Sequence, residues 1–539
     1  CMQSHLANPN EALGAFSFDG GYTRNTATLR EGNSVADLLL GLPFQASVST
    51  VSYMNQRSPW YGFYFQDEWR ATPRLTLNLG VRHDLRLPWV ETRNLWANFD
   101  IDTNPASAAL VLAQAGSRAS RATINPDRND WAPRFGFAYR VGDSTVFRGG
   151  YGIYYSKYEP MGGAQYLQTN PPFQYRAQLN ADRINVTLQL RNGIPAGTVS
   201  PRNAANIGTS SYQRDLRSGY AQQWNLNIQR QLPAQMLFEI GYFGNKANKL
   251  MRRTEGNWAL PGPGTVNPRR RYQRVLVPGD NVLVGPLANT YRHEATSNAN
   301  FQSLQMKVEK RLTAGLTFLT SYVFSKAISD GRGVAGAGGV SNILPQNPLD
   351  LRAERSLADE HRAHRLVASY NYDLPFGRGR RFGAWWKRLA DGVLGGWSMG
   401  GITTLSSGQL VNLSVQGNPS NTGGPDRPNA IGEWRLGKSE RSLDRWFNTR
   451  AFAANAPFTF GNAGRNLLEG PGEVNFDLAI YKAFTVREGV RFQFRAETFN
   501  AMNTPPFGAP NAQVGNAVFG QISAAGRPRN CQLGLKLVF

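Results

Sequence analysis

Cysteine is nearly missing from this sequence: Cys1 and Cys531 are the only two among 539 residues. They stand at opposite ends, so no disulfide framework and no paired-cysteine redox or zinc motif can be read. Cys1 would suit an acylated lipoprotein terminus, but no lipobox precedes it, and a chain that begins partway through a longer protein is the simpler reading. Histidine is almost as scarce, at five. Only His361 and His364, in "EHRAHR", lie close together; on a helix their rings would share a face for a metal, whereas in a strand they diverge. The alternating "RLVASYNY" that follows places the pair at a loop-to-strand junction, so no metal and no cofactor is expected.

Long apolar runs are also lacking. The best stretches, "VADLLLGLPF" and "ASAALVLAQA", fall well short of the roughly 18 residues that a membrane helix needs, and no signal peptide opens the chain. A helical membrane protein is excluded. A transmembrane β-barrel is not, because its strands need only about ten alternating residues each. Catalytic constellations are lacking too: there is no G-x-S-x-G elbow, the acid pairs Asp67-Glu68 and Asp359-Glu360 are adjacent and diverge in a strand, and "GRGVAGAGGV" lacks the Lys-Ser/Thr of a phosphate loop. No catalytic residue is assigned, and an enzyme is not expected.

Acidic residues are few, 37 against 59 Lys and Arg, which gives a net charge of +22. Such a balance raises nucleic acid as a partner. The arginines are scattered, however, and the clusters at Arg252-Arg253, Arg269 to Arg271 and "GRGRRFG" (377–383) are short and sit on no reading module. No nucleic acid is expected. Basic loops can equally touch anionic lipid or steer an acidic solute.

What the chain does have is aromatics and glycine, with 29 Phe, 20 Tyr, 12 Trp and 56 Gly, arranged in strict alternation. In "RLTLNLGVRHDLR", Leu75, Leu77, Leu79 and Val81 share one face while Thr76, Asn78, Gly80, Arg82 and Asp84 share the other. The pattern recurs at Phe135, Phe137 and Tyr139, at Phe147, Tyr151, Ile153 and Tyr155, at Trp224, Leu226 and Ile228, at Met236, Phe238, Ile240 and Tyr242, and at Leu304, Met306 and Val308 followed by Leu316, Phe318, Tyr322 and Phe324. Counting to the end predicts roughly 14 to 16 strands of bilayer-spanning length. Very short connections ("TPR", "VGDS", "LPAQ", "LTAG", "TVREG") alternate with long polar ones at 87–130, 157–217, 247–299 and 327–361, as in outer-membrane barrels with short periplasmic turns and long extracellular loops. "GAWWKRLADGVLGG" is the one plausible helix, on the periplasmic side.

If the oily faces meet lipid, the opposite faces line an interior: Arg82, Arg134, Arg140, Arg148, Gln223, Asn225, Asn227, Gln229, Glu239, Asp477, Gln493, Arg495 and Glu497. Such a lumen holds water or a polar plug; alternatively these groups form cross-strand salt bridges that stiffen the wall. At the terminus, "NCQLGLKLVF" sets Leu533, Leu535, Leu537 and Phe539 toward hydrocarbon, with Gln532, Gly534 and Lys536 toward the lumen. In a closed barrel that last strand is held by pairing with the first.

Several stretches taken together resemble one family. "VADLLLGLP", "YFQDEWRATPRLTLNLGVRHDL", "DWAPRFGFAYR", "STVFRGGYGIYY", "GRNLLEGPGEVNFDLAIYKAFTVREGVRFQFRAETFNAMNTPPFG" and "LGLKLVF" are similar, in order and over nearly the whole chain, to the barrel of TonB-dependent outer-membrane receptors, with the Oar-like subgroup the nearest. The resemblance implies an all-β fold, an antiparallel transmembrane barrel of about 22 strands with a plugged lumen, of which this chain is a part. It implies that residues 1–539 are the C-terminal barrel portion, with the plug and an N-terminal carboxypeptidase-regulatory-like domain absent from the chain. It further implies a Gram-negative outer-membrane location and TonB-dependent transport of a large or scarce solute, bound by extracellular loops and lumen wall. The implied partners are outer-membrane lipid and lipopolysaccharide, the barrel assembly machinery through the terminal Leu533, Leu535, Leu537 and Phe539, and the TonB complex through the missing N-terminal part; the expected state is a monomer. The rival reading is a non-transporting structural or surface-interaction protein whose basic loops bind lipopolysaccharide or partners.

Overall fold

The computed structural model describes residues 2–8, 12–24, 32–104, 106–156, 165–182, 186–200, 207–331, 344–487 and 490–539. Cys1 and all but the first residue of "GRGVAGAGGV" lie outside the described residues. Thirteen strands follow one another along a single antiparallel path. They are β1 (Trp60–Thr72), β2 (Leu75–Arg86), β3 (Asp130–Val141), β4 (Thr145–Tyr155), β5 (Tyr220–Leu232), β6 (Met236–Glu255) and β7 (Leu287–Thr313). Then come β8 (Leu316–Ser329), β9 (His364–Asp373), β10 (Trp397–Ser406), β11 (Glu473–Arg487), β12 (Val490–Phe499) and β13 (Asn530–Val538). Two short strands, Ile207–Tyr212 beside β7 and Ser356–Leu357 beside β8, bring the sheet to 15. The fold is all-β, and no helix among the described residues is long and apolar enough to cross a membrane.

Alternation produces this sheet because one side of most strands is oily and the other mainly polar, and register carries the faces from strand to strand. Leu79 pairs with Phe135, Phe135 with Tyr151 and Tyr151 with Trp224. Farther along, Leu226, Tyr242, Leu304 and Phe324 stand side by side. Most of these side chains remain substantially exposed, as do Phe63, Phe65, Leu533 and Leu535. An apolar belt of that extent, facing outward across the whole sheet, belongs against lipid rather than water.

Connections alternate strictly in length. Tight turns join β1 to β2, β3 to β4, β5 to β6 and β7 to β8. In the last of these Ala314 and Gly315 have φ of 51° and 79°, the paired left-handed conformation that matches the twist of a two-residue hairpin. The β11–β12 turn spans residues 488–489, outside the described residues. The β9–β10 connection is longer and carries α3 (Arg388–Leu394), so the expected helix is present. It is not the one helix, however. α1 (Ser34–Leu40) is capped by the Asn33 side chain and by Gly41 in a left-handed conformation, and α2 (Arg118–Ala122) is capped by Ser117.

One expectation needs correcting. The sequence pattern places 247–299 in a loop, yet β6 continues to Glu255 and β7 begins at Leu287. At about 3.4 Å per residue the 27 residues of β7 run roughly 90 Å, far beyond a bilayer, so β6 and β7 project as an arm, with Ile207–Tyr212 paired alongside its end. Among the described residues β13 pairs with β12, through nine residue pairs, and β1 with β2, and the two are not paired with each other, so the closure that a complete barrel gives its last strand is not made along this path. Along this path β1 and β13 are edges, and one neighbour is what restrains the terminal strand.

The cores of the molecule sit in the long connections. One cluster gathers Phe99 and Leu110 from the β2–β3 connection, Tyr175 and Ile207 from β4–β5, and Tyr272, Val277 and Val284 from β6–β7. A second contains Met54, Trp96, Ile124, Leu167 and Tyr212. A third, with Leu413, Phe447, Phe452 and Leu468, joins the β10–β11 connection to Val514 and Phe519 of the β12–β13 connection. The long connections are therefore apolar inside, and together they form a roof over one rim. Truncation of Trp96, which is fully buried and donates its Nε1–H to the Arg121 carbonyl at 2.9 Å, is expected to destabilise the roof by about 3–5 kcal/mol. Limited proteolysis of the Trp96→Ala protein is the check; unchanged cleavage of residues 87–129 would contradict it.

Candidate functional site

The strand register places every interior candidate on one face of the sheet. Arg134 stands between Gly80 and Gly152, Gly152 pairs with Gln223, Asn225 with Gly150, Arg148 with Asn227, and Gln229 with Glu239. Arg140 pairs with Val146, Arg82 with Ala132, Glu497 with Gln532 and Arg495 with Gly534. The opposite face takes Leu533, Leu535 and Leu537, which pair with Ala496, Phe494 and Phe492; Phe539 lies one residue beyond the strand. Glycine opposite arginine recurs on the polar face and leaves room for the guanidinium.

Local contacts divide the polar face. Arg82 holds Asp84 with its Nε at 2.9 Å from both carboxylate oxygens, and Asn227 donates to Glu239 at 2.5 Å. Arg134 stacks over the Tyr154 ring at 4.7 Å. Arg495 donates to Gln493 at 2.9 Å, Asp477 accepts from the Asn500 amide at 2.9 Å, and Gln532 donates to Glu497. Arg134, Arg140, Arg148, Gln223, Asn225 and Arg495 are exposed on this face. Local pairing thus holds the carboxylates, while much of the positive charge stays open to solvent.

Above the sheet, the roof is pinned by buried and half-buried ion pairs that sequence reasoning missed. Arg292 bridges Asp102 at 2.6 Å and Glu294 at 3.1 Å, joining the arm to the β2–β3 connection. Arg252 meets Asp330 at 2.6 Å, and Asp330 also accepts from Ser297. Arg427 meets Glu354 at 2.7 Å, both side chains buried. Arg465, fully enclosed, donates to the Glu354 carbonyl at 3.1 Å, to the Ser329 carbonyl at 2.7 Å and to Asp359 at 3.2 Å. Single arginines whose acids lie dozens of residues away in the sequence carry no local signal of such partners.

Two cavities open at this rim. One, of about 100 Å³, is lined by Trp60, Trp89, Asp84, Asp127, Asp130, Arg217 and Lys249 where β1–β6 meet the roof; Arg217 binds Asp127 at 2.9 Å, and Ser218 joins Asp127 to Asp130. The other, of about 180 Å³, is walled by Trp258, Leu260, Pro261, Leu344, Pro345, Leu349 and Phe460, with Glu255 as its one acid. Burial raises the Glu255 carboxyl above its ordinary range, against the opposing amide bond from Thr290 and the Arg270 guanidinium at 3.6 Å. An apolar pocket with one carboxylate can take an apolar group that bears a hydrogen-bond donor.

His361 and His364 fall at the loop-to-strand junction: β9 begins at His364, and His361 accepts from the Ala327 amide at 3.3 Å. Among the described residues no group of three or more His, Cys, Asp or Glu is arranged around a metal-sized site. The more unusual histidine is His293, on the arm beyond the apolar belt. It is buried between the rings of Tyr212 and Tyr166, at 4.4 and 5.3 Å, with neither ring nitrogen hydrogen-bonded. Burial, and next the Arg253 guanidinium across the ladder, depress it from 6.5 to about 3. A depressed folded-state pKa means stability that is complete above the unfolded value near 6.5 and is lost as pH falls from there toward 3. The roof is therefore expected to weaken between those limits. His293→Phe, which keeps the stack, should flatten that acid limb in a pH series of denaturant unfolding; an unchanged limb would assign the sensitivity elsewhere.

The family model described as an outer membrane beta barrel domain matches residues 2–532. The chain belongs to that family. This outer-membrane barrel thus meets lipid with its apolar belt, and by the general plan of such barrels its tight turns face the periplasm and its roof the exterior. No curated protein matches the barrel's sequence. Among solved structures it is similar to the outer membrane transporter YddB from Escherichia coli, at 9% identity and a TM-score of 0.45 over 92% of this chain and 49% of that one. It is similar also to the pyoverdine outer membrane receptor FpvA from Pseudomonas aeruginosa bound to pyoverdine, at 11% identity and a TM-score of 0.41 over 89% and 42%. The siderophore receptor PiuA from Acinetobacter baumannii gives 10% identity and a TM-score of 0.36 over 92% and 44%. The barrel chain spans less than half the length of each of these three.

Proposed function

We propose that this chain is the barrel portion of a TonB-dependent outer-membrane transporter of the Oar-like group, which collects a large or scarce solute on its roof and passes it along the polar face. The observation that carries the reading is that face itself, which keeps one register through all thirteen strands of the path and presents exposed Arg134, Arg140, Arg148, Gln223, Asn225 and Arg495, with β8 and β10 adding Ser and Thr beside Leu319 and Ile402. About eight strands already make an interior that side chains can fill, so a wall of at least thirteen, closed by the rest of the barrel, has room for water, a polypeptide plug or cargo. On this reading Arg82, Arg134, Arg140, Arg148, Gln223, Asn225, Asn227, Gln229, Glu239, Arg495 and Glu497 line the lumen. The TonB complex acts through an N-terminal part outside residues 1–539, and the protein works as a monomer, with lipopolysaccharide against its outer loops.

Growth of a deletion strain across defined iron and carbon sources tests the reading. A defect on one source, reproduced by loss of TonB, is the expected result. A strain without any growth defect but with altered adhesion or envelope integrity would favour the rival, a non-transporting surface protein, to which the rigid roof lends support. The terminal Leu533, Leu535, Leu537 and Phe539 serve assembly on this reading: Phe539→Ala should lower the amount of barrel in the outer membrane several-fold while leaving ligand affinity of the assembled fraction unchanged. Normal levels of the variant would remove that role.

A further inference from the structure

The periplasmic rim carries one connection unlike its neighbours. Residues 374–396, between β9 and β10, hold five basic side chains, Arg378, Arg380, Arg381, Lys387 and Arg388, against one acid, Asp391. All five are exposed, Arg380 lying 3.8 Å from Asp373 at the end of β9, and Asp391 is turned inward, accepting from the Arg378 amide at 2.7 Å. Beside this charge the same segment shows large apolar groups to solvent: Trp385 and Leu389 are 85% and 87% exposed, and Val393 and Leu394 more than half. A soluble surface would not keep such a set uncovered.

Its position says what covers it. Lys482 of β11 pairs with Trp397 and with Phe494, and Phe494 pairs with Leu535, so Lys482 stands on the apolar face. Its Nζ donates to the Gly392 carbonyl at 2.7 Å, and the Trp397 indole N–H donates to the Val393 carbonyl at 2.8 Å. These bonds fasten the C-terminal turn of α3 to the outside of the wall, at the level where the belt ends. Aromatic side chains gather here: Phe484 and Trp397 flank Lys482, and Phe376 packs against Phe382 with its ring tilted by 33°. Alongside, between β8, β9 and β10 on the apolar face, runs an open groove of about 590 Å³ bounded by Leu316, Phe318, Tyr370, Tyr372 and Met399, with Lys310 at its rim.

We infer that residues 374–396 form an interfacial anchor that lies in the periplasmic leaflet and binds its anionic phospholipids. Trp385, Leu389, Val393 and Leu394 enter the acyl boundary, the five basic groups meet headgroup phosphates, and the groove beside β9 receives an acyl chain. Charge complementarity and continuity with the apolar belt select a lipid leaflet rather than a protein as the occupant. The inference rests on the reading that the apolar face meets lipid, and the experiment separates the two.

The full chain, with Cys1→Ser and Cys531→Ser, would be assembled in cells as Trp385→Cys and, as a control on the belt, as Leu226→Cys. After labelling with an environment-sensitive fluorophore it would be transferred to vesicles of phosphatidylcholine alone or of equimolar phosphatidylcholine and phosphatidylglycerol. Lipid-borne quenchers should quench both labels, the one at 385 at a shallower depth, and iodide should quench neither strongly. Quenching at 226 but not at 385 would overturn the anchor while leaving the facing intact; no lipid quenching at 226 would overturn the facing itself. Protection of 385 from both quenchers in native membranes would assign the surface to a protein partner and end the proposal. Replacing the five basic residues by glutamine should abolish an expected preference, of about tenfold or more, for phosphatidylglycerol in co-purified lipid. Equal lipid selection by the parent and this variant would refute the electrostatic part.

Discussion

Replacing Glu354 by alanine is expected to cost about 3–5 kcal/mol, among the largest effects available in this protein. Glu354 and Arg427 meet at 2.7 Å with almost no exposure of either side chain. Removing the carboxylate leaves the Arg427 guanidinium buried, with the Ala463 carbonyl at 2.9 Å as its remaining hydrogen-bond acceptor among the described residues, and deprives the Gln346 amide of an acceptor. Arg465, which rests on the Glu354 carbonyl, loses the packing that fixes its neighbour. The penalty comes from an uncompensated charge more than from a lost attraction. Glu354→Gln, which keeps an acceptor oxygen, should therefore recover part of it, and a double replacement of Glu354 and Arg427 by apolar residues should cost less than either single change. Denaturant unfolding in detergent, followed by the fluorescence of Trp434 and Trp446 in the same part of the roof, would measure the difference. Identical midpoints for Glu354→Ala and the parent would disprove the argument.

The second large effect concerns the wall. Leu226 sits near the middle of β5 on the apolar face, flanked by Gly149 and Tyr242, while Asn225 beside it points to the polar face. Leu226→Arg should destabilise the membrane-inserted protein by about 2–4 kcal/mol, the cost of a charge at mid-bilayer depth, and Asn225→Arg by far less. Refolding into vesicles at graded denaturant gives both values. Equal tolerance at 225 and 226 would mean that the two faces have been assigned the wrong solvents.

The wall was the legible part. A strand between lipid and water must alternate, so Leu75 to Val81 or Trp224 to Ile228 declare both their secondary structure and their facing within a few residues. The roof was not legible, for two physical reasons. Its cores join residues from distant connections, as when Phe99 packs on Tyr272 with ring centroids 5.6 Å apart, and no single segment shows a periodic apolar face. The projecting halves of β6 and β7 bury polar side chains such as Arg252, Thr254, Thr290 and His293 rather than apolar ones; "NKLMRRTE" and "TYRHEATSNAN" carry no oily face, and their pairing is supplied by the backbone ladder and by cross-strand groups such as Arg252 and Glu294. Alternation finds strands that separate two solvents and passes over strands that do not. The candidate polar face was legible for the same reason as the wall, whereas the cavity beside Glu255 depends on the roof and was hidden with it.

Because the apolar cores lie in the connections and none fills the space between strands, this protein obeys two solvation regimes at once. The wall is held by its fit to a hydrocarbon slab and by hydrogen bonds that have no aqueous competitor. The roof is held by the hydrophobic effect in water, like any soluble domain. Exchange of one detergent or lipid for another should therefore act on the wall and leave the roof untouched, while urea should loosen the roof first. The surface a solute meets can then change by substitution in evolution, or by mild denaturation in the test tube, with the membrane-spanning part still standing.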